Sequence, residues 1–174
     1  MRLLDLLAAR DGRGGEQVWI PDTNARLAPS MMLREGFPAP EIHVTASQYG
    51  EDAHRRGWLR LDRTLTAAEH SDIVDSSATW SGEDRSLHEI IAEFGPPSVT
   101  FGPTDPDRPK TLSYATSDRR TPVVAFHLGS AGTDTEAGSG DGPAAGAVLL
   151  AVRVNDDLFG GWELTPFGET TFAE

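Results

Sequence analysis

Cysteine is absent from the 174-residue chain, and lysine occurs once, as Lys110. Without a thiol there is no disulfide, no thiolate-ligated zinc, no cysteine nucleophile and no cysteine-held iron–sulfur cluster. Positive charge is scarce as well: 15 Lys and Arg stand against 27 Asp and Glu, a formal net charge of −12. Such a field repels phosphate and argues against nucleic acid as a partner. Long apolar runs are also missing. No stretch approaches the roughly 18 apolar residues that a membrane-crossing helix requires. Asp5 interrupts the apolar opening MRLLDLLAARDG, which makes it a poor signal peptide. The expectation is a soluble, cytoplasmic protein that binds neither nucleic acid nor membrane.

Leu, Ile, Val and Phe supply 37 of the 174 residues, beside 18 Gly and 12 Pro. That composition predicts a folded chain with a modest core and generous loops. The length suits one domain over residues 1–174. Its first half, 1–80, reads as irregular, and 81–174 as a helix followed by a sheet. The strong excess of Arg over Lys reads as a GC-rich coding bias.

Local signals are clearest at Ser86–Phe94. Ser86 and Glu89 form an S-x-x-E capping box, Leu87, Ile90, Ile91 and Phe94 recur at helical spacing, and Gly95-Pro96-Pro97 ends the helix. The period then changes to two, predicting strands at Ser98–Phe101, Thr111–Thr116, Pro122–Leu128 and Ala147–Val154. Ser117-Asp118-Arg119-Arg120 joins the second and third as an antiparallel hairpin. Strict alternation places Val124, Phe126 and Leu128 on one face, with Val148, Leu150, Val152 and Val154. The opposite face carries small residues with His127 and Arg153. The fold class is therefore α+β, an antiparallel sheet with short helices packed on one face and the other face free.

Elsewhere the signals weaken. Residues 129–146 contain six glycines and no Leu, Ile, Val or aromatic residue, which predicts a flexible loop. Arg2–Arg10 suits a short helix, and Glu16–Ile20, Glu41–Ala46 and Gly57–Leu61 suit strands. Thr66 and Glu69 make a second capping box before a weak apolar stripe. Four prolines make 21–40 irregular. A second lobe, if present, would begin within Ser76–Asp84.

No pattern of catalysis is spelled out. The glycines at 138–142 lack the Lys-Ser/Thr of a phosphate-binding loop, and neither GxGxxG nor GxSxG occurs. Among His43, His54, His70, His88 and His127 there is no HExxH pair, and Glu51, Asp52 and His54 read as a solvated loop rather than a metal centre. No cofactor and no metal are expected. Four residues are candidates for contact with a partner or anion. His127 and Arg153 would make a shallow cationic spot on the sheet, and Trp80 and Trp162, in Ser/Gly-rich surroundings, could anchor a partner.

SLHEIIAEFGPPSVTFG, KTLSYAT, PVVAFHL and AVLLAVRV, spanning residues 86–154, resemble BamE/SmpA-like domains and the small α+β immunity and inhibitor proteins of bacteria. The resemblance implies a binding module without catalysis and carries over no functional residue. Three functions stay open. One is a non-enzymatic acidic protein, such as an immunity or inhibitor protein, that binds a basic protein partner such as a toxin. Another is a small enzyme or ligand-binding domain with a histidine-containing pocket. The third is a structural or assembly subunit.

Overall fold

The computed structural model describes residues 41–130, 146–155 and 161–172. The helix expected at Arg2–Arg10, the strand at Glu16–Ile20, irregular 21–40 and nearly all of the glycine-rich loop lie outside them. Helix α1, Glu41–Arg56, stands where a strand was expected at Glu41–Ala46. It ends in a Schellman turn: Trp58 N–H donates to Ala53 O (2.8 Å), Gly57 N–H to His54 O (2.9 Å), and Gly57 takes φ +71°. The left-handed conformation costs glycine nothing, and cationic Arg55 and Arg56 suit the carbonyl end of the dipole. No strand forms at Gly57–Leu61.

Both capping boxes do their work. Thr66 and Glu69 start α2, Ala67–Ser81, and Ser86 and Glu89 start α3, Leu87–Phe94. Gly95, at φ +73°, stops α3. Helix α2 runs well past its weak apolar stripe because serines line its buried side. Ser77 and Ser81 donate to the carbonyls of Val74 (2.8 Å) and Ala78 (3.1 Å), so their hydroxyls enter the interior already satisfied.

Among the described residues five strands follow in a meander, each antiparallel to its sequence neighbour: β1 Val99–Phe101, β2 Lys110–Tyr114, β3 Val124–Ser130, β4 Ala147–Arg153 and β5 Trp162–Leu164. The fold is α+β with an antiparallel sheet, and the turn at 117–120 joins β2 to β3. Strand β5 was not foreseen. Ile73, Ile90 and Phe94 pack on Leu112, Tyr114, Val124, Phe126 and Leu128 to form the core. Trp80, Phe94, Tyr114 and Phe126 stack within it at centroid distances of 4.9 to 6.4 Å. Burial pushes the Tyr114 phenol far up, which keeps it a donor to Gly95 O at 2.9 Å.

Two expectations of facing change. The α3 stripe is narrower than its spacing implied: Ile90 is fully buried, whereas Ile91 is 38% exposed. In β4 the register slips by one between His127 and Leu128, leaving Leu150 as an extra residue. The bulge turns Ala147 and Leu149 to the core beside Val152 and Val154, replacing the alternating set Val148, Leu150, Val152 and Val154. Its Leu150 carbonyl is taken up by Thr165 N–H (3.0 Å), and Thr165 Oγ1 donates to Leu149 O (2.7 Å). Thr165 also caps α4, Pro166–Phe172, by accepting from Gly168 N–H (3.0 Å).

Helices α2 and α3 share the core face. Helix α1 lies on the other face, which the sequence had left free. Ser47 reaches His127, and Gly50 sits against the Phe101 ring and Ser113.

Candidate functional site

Between α1 and the sheet runs a seam of buried polar side chains. The pleat puts Thr111 directly opposite His127 on neighbouring strands, facing away from the core. Ser47 comes down from α1, one turn before Gly50. The Ser47 hydroxyl lies 2.6 Å from His127 Nε2 and the Thr111 hydroxyl 2.9 Å from Nδ1, with all three residues buried. A neutral imidazole has one donor and one acceptor, and a hydroxyl can be either, so this chain is satisfied in both tautomers. The Trp162 indole stacks on the ring at 5.1 Å and 23°.

Glu51, one turn beyond Ser47, extends the seam. Its carboxylate accepts from Val123 N–H at 2.7 Å and from Arg55 Nε at 2.9 Å. Since Glu51 is buried, a charge-assisted bond ties α1 to the start of β3. Nearby His54, also buried, donates from Nε2 toward Asp118 O at 3.4 Å. Glu51, Asp52 and His54 thus belong to a helix, and two of them point inward instead of lining a solvated loop. No group of three metal-ligating side chains occurs among the described residues.

Three of the four candidate contact residues come together. Arg153 pairs with Trp162 across β4 and β5, with its guanidinium 5.9 Å from the indole centroid, and Trp162 covers His127. The spot is not shallow: His127 is 0% and Arg153 2% exposed. Trp80 lies on the opposite side of the sheet, half-buried 4.9 Å from Phe94, with Arg85 over its ring at 4.9 Å. Of the other histidines, His70 donates to Pro122 O (2.8 Å) and His88 faces solvent. His43 falls within α1.

Sequence reasoning missed Ser47, Thr111 and Glu51. Thr111 was findable by pairing β2 with β3 through the short turn. Ser47 and Glu51 were hidden because the helix that carries them was read as a strand, Glu41–Ala46, with Glu51 in a solvated loop beyond it.

The outer side of α2, α3 and the turn between them is rich in acidic residues. Asp72, Asp75, Glu83, Asp84, Glu89 and Glu93 are exposed there, beside Ile91. Arg85 bridges Glu83 at 2.8 Å and Glu89 at 3.6 Å. Hydrogen bonds from Ser86, with the Arg85 charge, lower the Glu89 pKa and hold it ionised. No helix among the described residues is long and apolar enough to cross a membrane. No protein family matches the chain, and no curated protein or solved structure does either.

Proposed function

We propose that this chain is a non-catalytic cytoplasmic binding protein whose α2–α3 face docks a basic protein, in the manner of an immunity or inhibitor protein occluding a toxin. One observation carries the reading: six carboxylates on α2, α3 and the turn between them are exposed, and so is Ile91 of α3. An exposed apolar residue on a predominantly acidic surface suits a docking site, since the charge steers encounter and the apolar group desolvates. The net charge of −12 adds long-range attraction to a cationic partner. The resemblance of 86–154 to small bacterial immunity domains points the same way.

The test compares the wild type with Asp72→Lys/Asp75→Lys/Glu93→Lys as immobilised baits in host lysate, followed by titration of the purified captured protein. A basic protein held at low salt, at least about tenfold more weakly by the triple variant, supports the reading. Equal retention by both baits, or capture of no basic protein, defeats it.

A hydrolytic reading rests on the Ser47–His127 pair, whose 2.6 Å spacing is that of a nucleophile and its base. Its third member is the hydroxyl of Thr111, not a carboxylate, and Ser47 is only 4% exposed. A fluorophosphonate probe that labels Ser47 in the folded wild type, but not in His127→Ala, would favour it. Unlabelled protein leaves the seam a structural one.

A further inference from the structure

The end of α1 and the β2–β3 turn meet where several exposed arginines lie. The Schellman turn delivers Arg56, Gly57 and Trp58 in succession, and Trp58 is 42% exposed. The Arg56 guanidinium lies 4.9 Å from the Trp58 ring centroid. From the other side the turn lays the Arg119 guanidinium flat against Gly57, in space that any Cβ would occupy. The turn is held in shape by Asp118, which accepts from Arg120 N–H at 2.9 Å. Arg60 follows two residues after Trp58.

The charges here are uncommitted. Arg55, Arg63 and Arg85 each pair with a glutamate. Arg56, Arg60, Arg119 and Arg120 are exposed, and among the described residues none of them has a carboxylate partner. Leaving four guanidiniums unpaired in so acidic a chain is not what local neutralisation would produce. An exposed indole with one forked donor over its ring and another at the adjacent Gly57 fits a ligand carrying both carboxylates and an apolar side chain.

We propose that Trp58, Arg56, Arg119 and Arg120 form a binding site for a short acidic peptide segment of a partner protein, with its carboxylates on the guanidiniums and its apolar side chain on the indole. Aromatic and basic residues together also suit single-stranded nucleic acid. A polyphosphate, however, extends beyond the patch and meets the field of a −12 molecule along its length, whereas a few carboxylates stay within the local positive potential. The site shares no residue with the α2–α3 face and stands or falls independently of it.

Fluorescence anisotropy decides, using a fluorescein-labelled peptide Glu-Asp-Phe-Glu-Asp-Glu and a labelled short oligothymidylate as probes. The wild type should bind the peptide more tightly than the oligonucleotide, with affinity falling as salt rises. Trp58→Ala and Arg119→Ala/Arg120→Ala should each weaken peptide binding by about tenfold or more. Arg120→Glu should do the same without disturbing the Arg119–Gly57 contact, and melting curves check that each variant is folded. Asp72→Lys/Asp75→Lys/Glu93→Lys should bind the peptide no more weakly than the wild type. The proposal is overturned by absence of peptide binding at low salt, by variants that bind like the wild type, or by tighter binding of oligothymidylate. It is equally overturned if sedimentation shows that the patch mutations act by abolishing self-association.

Discussion

At the scale of single residues, Ile90 and Ile91 are chain neighbours whose side chains leave the helix about 100° apart. One is sealed in the core and the other is 38% exposed. Ile90→Ala should cost about 2–5 kcal/mol in a urea titration, as expected for a cavity in a packed core. Ile91→Ala should cost less than about 1 kcal/mol. The two glutamates of the capping boxes set a pH dependence. Hydrogen bonds from the Thr66 amide and hydroxyl, then one from Arg63, lower the Glu69 pKa from 4.5 to about 2. The folded chain therefore binds this proton more weakly than the unfolded one. The stabilisation is complete above about pH 4.5 and is lost as pH falls toward 2. Glu69→Gln should lower the melting temperature at neutral pH and narrow its gap from the wild type as the solution is acidified through that window. A constant gap would show that the carboxylate's charge is not what matters.

The elements differ in how far their own residues announce them. Helix α3 was legible because its cap, its apolar stripe and its glycine stop all act within ten residues. Helix α1 was not, because the buried residues described on it are Ala46, Ser47, Gly50, Glu51, Ala53 and His54. These are small or polar residues that no apolar periodicity detects. They fit because the sheet offers hydroxyls, an imidazole and backbone N–H groups as partners. Helix α4 depends on a close approach of another kind. A Cβ on Gly168 would overlap the Leu150 carbonyl at the β4 bulge. Gly168→Ala should therefore destabilise the protein by about 1–3 kcal/mol, with limited proteolysis cutting first within 165–172. A stable variant with unchanged cleavage would mean that α4 does not rest on β4.

At the scale of the whole molecule, charge among the described residues is unevenly distributed. Carboxylates gather on the outer side of α2 and α3, and uncommitted arginines gather where α1 ends. The excess of negative charge makes the folded state self-repelling, and the ions of about 0.15 M salt screen it beyond about 8 Å. Melting temperature should accordingly rise on going from about 10 to 150 mM NaCl; a fall would show that exposed ion pairs such as Arg63–Glu69 outweigh the repulsion. His127 and Arg153 were expected on one face, and they are. That face became an interior because a helix covers it, so the histidine organises a contact between layers.

The chain's own residues determined the capping boxes, the glycine stop, the succession of antiparallel strands and the acidic balance, since each depends on neighbours in sequence or on counting. The covering of the second face, the slip at Leu150 and the meeting of Trp58 with Arg119 were decided only by tertiary structure. Each needs a partner dozens of residues away. A small or polar side chain carries no sign of whether such a partner will shield it from water or leave it there.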